Sequence, residues 1–158
     1  SGQCDELGMK SGTLNNDGCH SVIYRGIENV YANMFTAIDG INIKDYVAYI
    51  CDDPTQYASD KFVDPYKPVG YTNLDTGDVY TSQLGYDENN PEVSLPVVAN
   101  GSSSTGTCDY YWCSAGNKVA FVGGHFHNGA IGGFFCWGLS AASSTSSWAY
   151  GARLLKYQ

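Results

Sequence analysis

The sequence predicts an α+β domain with one main helix, short antiparallel strands and long irregular loops. Apolar residues recur at helical spacing through residues 26–38. Elsewhere the apolar segments are short, because 19 glycines and 5 prolines interrupt the chain. With 158 residues, the chain has the length of one domain that can bury a sizeable core.

The predicted helix covers about residues 26–38. Its apolar residues stand at positions 27, 30, 31, 34, 35 and 38, which is the spacing of one face of an α-helix. Asp39 and Gly40 follow directly, and a glycine in this place can adopt the left-handed conformation that ends many helices. We therefore expect the helix to end at Ile38.

Short strands are predicted after the helix. Residues 41–51 alternate and are rich in isoleucine, valine and tyrosine, which favours one or two strands. The proline within residues 93–99 favours an edge strand, because proline cannot donate a hydrogen bond to a strand partner. Residues 52–92 contain four prolines and many acids, and predict a long irregular excursion. Three more strands are expected at residues 118–124, 132–140 and 152–157.

The charge of the chain excludes several classes of function. It has 8 lysines and arginines against 16 aspartates and glutamates, which gives a net charge of −8. A nucleic-acid-binding protein needs a basic surface, and binding to anionic membranes is disfavoured for the same reason. No apolar run approaches the length of about 18 residues that spans a bilayer. We therefore expect no nucleic-acid partner and no membrane insertion.

The last third of the chain differs from the rest in composition. Residues 110–158 contain no aspartate or glutamate and are rich in glycine, serine and aromatic residues. This composition is typical of recognition surfaces. Buried strands joined by small-residue turns have the same composition, so both interpretations stay open at this point.

Six cysteines are many for a reduced compartment and few for a disulfide scaffold. The local candidates for disulfide pairs are Cys4 with Cys19 and Cys108 with Cys113. Sequence spacing alone leaves every other pairing open.

One histidine pair has the spacing of metal ligands. His125 and His127 would share a face of a strand, so both imidazoles could reach one ion. A zinc site needs a third and usually a fourth ligand, and no spacing indicates one. The acidic residues 87–92 could supply oxygen ligands to calcium, but a solvated acidic turn is the more common role of such a cluster. We therefore predict no metal and no cofactor.

Three stretches of the chain together resemble one family. They read YRGIENVYANMF followed by IDGIN in residues 24–42, DYYW followed by KVAFVGG in residues 109–124, and NGA, GFF and WAYGARL in residues 128–154. Their order and spacing resemble the C-type-lectin-fold variable domains that diversity-generating retroelements target. The resemblance implies a C-type-lectin-like, ligand-binding domain over residues 24–158. The resemblance does not cover residues 1–23, which are interpreted as a polar N-terminal segment. In this segment Ser1-Gly2 has the sequence of a cloning remnant, and a loop follows it.

Domains of this family belong to phage tail receptor-binding proteins and to bacterial surface proteins. The resemblance therefore implies a non-catalytic recognition module on a phage virion tail or on a bacterial cell surface. Its implied partner is a host-cell surface protein or a glycan. A homotrimeric parent protein is compatible with the same resemblance.

Two other functions stay open. The formylglycine-generating enzymes share this fold, but they carry a cysteine pair between the Gly-Gly and the final Gly-x-Arg. Here only Cys136 lies in that interval, so we expect no enzymatic activity. The second alternative is a carbohydrate-binding lectin domain with a fixed site. Calcium-dependent lectins of this fold use Glu-Pro-Asn or Gln-Pro-Asp, whereas this chain has the reverse order in Asn90-Pro91-Glu92.

The predicted binding face lies in residues 125–150, where the variable residues of the resembled family fall. These 26 positions contain no Lys, Arg, Asp, Glu, Gln or Met. In that family, mutagenesis at template adenines turns Asn codons of the form AAY into NNY, which never encodes Lys, Gln, Glu, Met or Trp. Ordinary strand-and-loop sequence is the alternative explanation. The candidate ligand-binding residues are His125, Phe126, His127, Asn128, Ile131, Cys136, Trp137, Gly138, Ser140, Ala141, Thr145, Ser147, Ala149 and Tyr150.

The aromatic residues of this segment divide into two predicted roles. Phe126, Trp137 and Tyr150 are predicted to provide contact area for the ligand, and small polar side chains are predicted to add hydrogen bonds. Others flank structural glycines, which favours a place in the core. The aromatic residues expected in the core are Phe134, Phe135 and Trp148.

The remaining landmarks are predicted to be structural. Gly123 and Gly124 are expected to have a structural role. Arg153 of the final Gly-x-Arg is expected to form a buried ion pair, with Glu28 or an aspartate such as Asp39 as its partner.

Overall fold

The structure is a computed structural model that describes residues 23–24, 27–72, 79–105 and 109–152. It is mostly β, and the described residues contain no helix of seven or more residues. The predicted α+β, C-type-lectin-like class with one main helix is therefore wrong. In the same part of the chain, no helix is long and apolar enough to cross a membrane.

Twelve strands and two short 3-10 helices form the described part of the domain. The first 3-10 helix is Pro54–Gln56 and the second is Phe126–Ile131. The strands are β1 (Ile23–Tyr24), β2 (Ile27–Glu28), β3 (Phe35–Lys44), β4 (Val47–Ile50), β5 (Lys67–Tyr71), β6 (Val79–Tyr80), β7 (Gln83–Asp87), β8 (Asn90–Val98), β9 (Tyr110–Cys113), β10 (Asn117–Val122), β11 (Trp137–Leu139) and β12 (Tyr150–Gly151).

The segment predicted as the main helix is not helical: residues 27–28 and 35–38 belong to strands, and residues 29–34 between them are irregular. Between β2 and β3, Asn29 and Ala32 have φ of 51° and 59°, which are left-handed values that an α-helix does not contain. Two apolar residues of the predicted buried face, Ile27 and Met34, are 44% and 37% exposed. Strand pairing decides the structure here, because β3 finds partners in β4, β10 and β12, and these outweigh the local helical pattern.

An eight-stranded sheet organises the domain. Its order is β5-β4-β3-β10-β11-β9-β6, and β12 pairs with the beginning of β3. β12 runs parallel to β3 and β9 runs parallel to β11, while the other pairs of this sheet are antiparallel. β3 and β4 form a hairpin whose turn residues, Asp45 and Tyr46, both have positive φ, as tight hairpin turns favour. The strands predicted in residues 41–51 are confirmed.

The other strand predictions have mixed outcomes. β10 confirms the strand expected at residues 118–124, and β8 pairs only with β7 in a two-stranded sheet, as expected of an edge strand at residues 93–99. Within residues 132–140, only Trp137–Leu139 is a strand. Residues 52–92 are more regular than predicted, because β5, β6 and β7 lie there. Most of the strand expected at residues 152–157 lies outside the described residues, as does Arg153 with its predicted ion pair.

Strand alternation gives the main sheet two different faces. The first face packs into a core that includes Ala120 and that the β7–β8 hairpin completes. The second face is aromatic. Phe35 and Phe121 are its buried centre, and Trp112 and Tyr150 pack against them. Neighbouring residues of one strand thus contribute to different cores, as Ala120 and Phe121 of β10 do.

The three cysteines within the described residues are buried free thiols. Cys113 Sγ lies 3.4 Å from Thr72 Oγ1. Because its thiol is free, Cys113 does not form the predicted pair with Cys108. The predicted pair of Cys4 and Cys19 lies outside the described residues.

Asp39 and Gly40, predicted to end a helix, instead form a bulge within β3. In the pairing with β10, Ile38 lies opposite Ala120, and Asn42 lies opposite the adjacent residue Val119. Residues 39–41 of β3 therefore have no partner in β10. Gly40 has a φ of 84° in this bulge. Gly40 has the left-handed conformation expected of it, but this conformation forms a β-bulge and does not end a helix.

Replacing Gly40 by alanine is expected to lower the free energy of unfolding by about 1–3 kcal/mol, because a side chain would be strained at this φ. A Cβ there would also lie 2.8 Å from the Tyr57 ring and 3.0 Å from the carbonyl oxygen of Cys51. Urea unfolding measures the loss. Gly70→Ala in β5 is the matched control, since a Cβ there meets nothing within 4 Å. Equal losses from the two substitutions would contradict the bulge at Gly40.

Candidate functional site

An open cavity of about 380 Å³ lies on the aromatic face of the main sheet. This volume falls within the range of about 300–1,000 Å³ that is typical of small-molecule sites. Strands β3, β9, β10, β11 and β12 contribute residues to its walls, and the second 3-10 helix closes one side. Four aromatic side chains from four different strands line it: Phe35, Trp112, Phe121 and Tyr150.

The Phe35 ring joins the walls of this cavity. Its centroid lies 5.8 Å from that of Trp112, 5.6 Å from that of His125 and 5.9 Å from that of Tyr150. The corresponding ring planes meet at 80°, 58° and 55°. Phe121 extends the wall by stacking on Tyr150 with centroids 4.4 Å apart. Rings at such steep angles to one another give walls that face in different directions.

The second 3-10 helix is fixed by hydrogen bonds at its beginning. The backbone N–H of His125 donates to Asn128 Oδ1 at 2.6 Å, and His125 Nδ1 accepts from the backbone N–H of His127 at 3.3 Å. The backbone N–H of Phe126 donates to the carbonyl oxygen of Asn33 at 3.1 Å. The irregular segment before β3 and this helix therefore hold each other in place beside the cavity.

Gly123 and Gly124 form the turn into this helix. Their φ values are 91° and 68°. A Cβ on Gly124 would lie 2.9 Å from Gly132 Cα, and one on Gly123 would lie 3.2 Å from the carbonyl oxygen of Val30. The structural role predicted for the pair is confirmed, because both glycines have a positive φ that strains other residues and a Cβ on either would crowd backbone atoms.

Beside the cavity, three exposed rings form what we name the exposed aromatic cluster: Phe126, His127 and Trp148. Phe126 lies 4.4 Å from His127 and 5.2 Å from Trp148, measured between ring centroids. Phe126 and Trp148 are 55% and 59% exposed. The His125 ring lies 5.4 Å from Trp148 and 5.6 Å from Phe35, so it connects the cluster to the cavity. Clustered exposed aromatic rings are characteristic of binding surfaces.

The structure brings many of the predicted ligand-binding residues together. Two of them, Phe126 and His127, belong to the exposed aromatic cluster. Thr145 and Ser147 are exposed in the loop before β12 and line neither the cavity nor the cluster. The predicted residues that line the cavity are His125, Asn128, Ile131, Gly138, Ser140, Ala141 and Tyr150.

The side chains of three predicted residues do not reach the cavity or the exposed aromatic cluster. Cys136 and Ala149 are buried, so their side chains do not reach the surface. Trp137 packs against the core of the first face, because alternation along β11 turns it away from Gly138, which lies against the Phe35 ring. Their positions in the sequence did not show that these three side chains point away from the surface while those of neighbouring residues reach it.

The core position predicted for Phe134, Phe135 and Trp148 is wrong. All three rings are exposed, Phe134 and Phe135 at 56% and 46%. The Asp109 carboxylate accepts a hydrogen bond from the backbone N–H of Phe135 at 2.7 Å. This holds residues 133–136 in a tight turn, and Trp148 also lies in a turn. Side chains on such turns face solvent more readily than those on a central strand.

Three cavity residues were missed by sequence reasoning: Phe35, Trp112 and Phe121. The predicted helix placed Phe35 on the wrong kind of element. Alternation along residues 110–113 and 117–122 is the signal that could have found the other two, because it separates Trp112 and Phe121 from the neighbours that face the first core.

The histidine pair considered for a metal does not lie on a strand. The rings of His125 and His127 are 6.1 Å apart at an angle of 65°, and His125 Nδ1 already accepts a hydrogen bond. Throughout the described ranges, no three His, Cys, Asp or Glu side chains gather closely enough to hold a metal ion.

The cavity is uncharged at neutral pH. None of the residues that line it is an aspartate, glutamate, lysine or arginine. Burial lowers the pKa of His125 from its ordinary value of 6.5, and His127 lowers it further, so its ring is neutral. Beneath the rings, burial raises the pKa of the Cys136 thiol to about 12, which keeps it protonated.

Comparison of the chain with protein-family models, with curated proteins and with solved structures found no match. The cavity and the exposed aromatic cluster are therefore interpreted from their own residues.

Trp148→Ala is expected to change the free energy of unfolding by less than about 1 kcal/mol, because its ring is mostly exposed. Phe121→Ala should cost about 3–5 kcal/mol, since its ring is buried in the second core. Denaturant unfolding of the two variants measures the difference. Larger destabilisation by Trp148→Ala than by Phe121→Ala would contradict this assignment of surface and core.

His125 is expected to titrate below pH 6.5 in the folded protein, because burial and His127 disfavour its charged form. The pKa of His125 is lower in the folded protein than in the unfolded chain. Its contribution to stability is therefore complete above the unfolded pKa of about 6.5 and is lost as the pH falls through the lower, folded pKa. NMR titration of the imidazole C–H signals measures the midpoint, and His127→Gln should raise it. A midpoint at or above 6.5 would contradict this environment for His125.

Proposed function

We propose that this domain is a non-catalytic recognition module whose ligand enters the aromatic cavity and covers the exposed aromatic cluster. One observation carries the proposal. The cavity and the cluster form a continuous aromatic surface, joined through the His125 ring at 5.6 Å from Phe35 and 5.4 Å from Trp148.

Two physical properties of this surface favour binding. Phe126 and Trp148 expose large apolar rings to water, and a partner that covers them gains hydrophobic and aromatic contact. The backbone of Phe126 is held by the glycine turn and by the hydrogen bond from the His125 N–H to Asn128 Oδ1. Next to Trp148, the backbone N–H of Ala149 donates to Ser147 Oγ and its carbonyl oxygen accepts from the N–H of Phe35. Little conformational freedom is therefore lost on binding, which favours affinity.

The surface also accommodates variation in sequence. His127 of the exposed aromatic cluster and Ser140 of the cavity are exposed, so substitutions there change this surface and leave the buried core in place. We propose that diversification of residues 125–150 acts at such positions.

For the biological setting we propose a phage virion tail or a bacterial cell surface, with a host-cell surface protein or a glycan as the partner. This setting rests on the resemblance of the three sequence stretches. The mostly β fold does not contribute to it.

The chemistry of Cys136 supports a binding role over the enzymatic alternative. A nucleophilic cysteine acts as its thiolate and needs access to substrate. The Cys136 side chain is fully buried, and burial raises its pKa to about 12. A thiol in this state does not attack a substrate at neutral pH.

Removal of both exposed rings in the double variant Phe126→Ala and Trp148→Ala is expected to lower binding to the partner at least about tenfold, as loss of aromatic anchors does. Immobilised protein is tested against a glycan array and against intact bacterial cells, with and without a calcium chelator. Tyr86→Ala is the matched control, because this ring is 72% exposed but lies on the separate β7–β8 hairpin.

We expect the wild-type domain and Tyr86→Ala to bind equally, and the double variant to bind weakly while its melting temperature is unchanged. Binding that survives in the double variant, or that is lost in Tyr86→Ala, contradicts the proposed face. Glycan binding that is abolished by the chelator would instead support a lectin with a fixed calcium site.

A further inference from the structure

We propose that a second cavity, at the bulge of β3, binds the guanidinium group of an arginine side chain that a protein partner presents. This site is separate from the aromatic cavity and from the exposed aromatic cluster. The inference therefore goes beyond the proposed function, and its test does not depend on that surface.

The second cavity has a volume of about 150 Å³, and Asp39 and Gly40 of the bulge line it. The long loop between β4 and β5 forms another wall. Phe121 lines both this cavity and the aromatic one, so the two are neighbours. Ser143 Oγ donates a hydrogen bond to the Asp60 carboxylate, which ties the loop before β12 to the loop after β4. The space suits the head group of one side chain, since whole small-molecule ligands occupy about 300–1,000 Å³.

A buried amide is the first argument for a ligand. Asn42 lines the cavity and is only 3% exposed. Its Nδ2 donates to the carbonyl oxygens of Ala58 at 2.9 Å and Lys61 at 3.0 Å, which engages both of its hydrogens. Among the described residues, none donates a hydrogen bond to Asn42 Oδ1. A buried acceptor that lacks a donor within the protein gains from a ligand that supplies one.

The charge around the cavity is the second argument. Asp39 lines it and forms no ion pair with any residue that the structure describes. None of the lining residues is a lysine, arginine or histidine. Residues 52–64 of the neighbouring loop contain four aspartates and one lysine. The surroundings therefore attract a cation, and no positive group in the lining competes for the Asp39 carboxylate.

The acceptors of the cavity favour arginine over lysine. The buried Tyr66 hydroxyl accepts the N–H of Ala58 at 2.8 Å and lies in the lining, and Ser59 contributes a second hydroxyl. Together with Asp39 and Asn42, they provide acceptors on several walls. A guanidinium has five N–H donors in one plane and no acceptor, and it is weakly hydrated. A lysine ammonium has three donors and loses more hydration when it enters such a space.

The test compares blocked tripeptides that differ only in the central residue. One contains arginine, and the other contains citrulline, whose neutral urea has nearly the shape of a guanidinium. Calorimetry and NMR shifts of the Asn42 side-chain NH₂ signals measure binding of each to the wild-type chain. We expect the arginine peptide to bind at least about fivefold more tightly, because only its head group is charged. Equal affinities overturn the proposal, as does tighter binding of a matched lysine peptide.

Asp39→Asn tests the site itself, because it removes the charge and keeps the shape of the side chain. We expect it to weaken binding of the arginine peptide about threefold to tenfold and to leave the citrulline peptide unaffected. Glu88→Gln is the matched control, since it removes the same charge from the exposed turn between β7 and β8. Equal losses in the two variants would show attraction to the acidic chain as a whole and would overturn the site.

Ser59→Lys is a second variant that does not touch the bulge. Ser59 is exposed and lines the cavity, so the fold should persist, which the melting temperature checks. A lysine there should weaken binding of the arginine peptide and spare the citrulline peptide, because like charges repel. Unchanged affinity for the arginine peptide in this variant contradicts the proposal even if Asp39→Asn does not fold.

The alternative occupant is Arg153 of the same chain, which lies outside the described residues. If the wild-type chain binds neither peptide and Arg153→Gln binds the arginine peptide, the cavity belongs to Arg153 and the proposal of a partner is overturned. Either failure leaves the proposed function intact, since capture through Phe126 and Trp148 is measured separately. If capture does not depend on those two rings but the arginine peptide binds, the recognition face fails and the arginine site stands.

Discussion

The pairing of β12 with the beginning of β3 is the constraint on which the site depends. The backbone N–H of Phe35 donates to the carbonyl oxygen of Ala149 at 2.8 Å, and Tyr150 lies opposite Phe35 in the parallel register. These contacts join the end of the described chain to the middle of the main sheet. The Phe35 ring then reaches Trp112 of β9 and the ring of His125. Without this pairing, the cavity would lose the wall that Tyr150 and Phe121 form.

The two faces of the sheet divide stability from recognition. The first face is closed by the β7–β8 hairpin and contains fully buried residues such as Tyr111 and Leu139. The second face buries only a small cluster around Phe35 and Phe121 and leaves an open cavity above it. Substitutions on the outer part of the second face therefore leave most of the hydrophobic core unchanged. A module of this kind can alter what it binds while its fold persists.

Sequence reasoning failed for the fold class, and its binding residues stay a prediction. Residues 125–150 contain no charged side chain, and seven of the predicted binding residues in this segment line the uncharged cavity. The helix prediction failed at Asn29 and Ala32, which have left-handed φ values, because local periodicity carries no information about strands that pair from distant parts of the chain. The sequence could not predict that Trp148 is exposed, because an aromatic residue near glycines is equally consistent with a core strand and with a surface turn.

The most direct test of this account is whether Phe35 lies on a strand at the cavity. Nuclear Overhauser effects measured by NMR on the isotopically labelled chain answer this. The account predicts strong sequential Hα–HN contacts over residues 35–44, cross-strand contacts between β3 and β10, and ring contacts from Phe35 to Trp112 and Tyr150. Continuous HN–HN contacts over residues 27–38, with no ring contact between Phe35 and Tyr150, would show a helix in this segment and contradict the account.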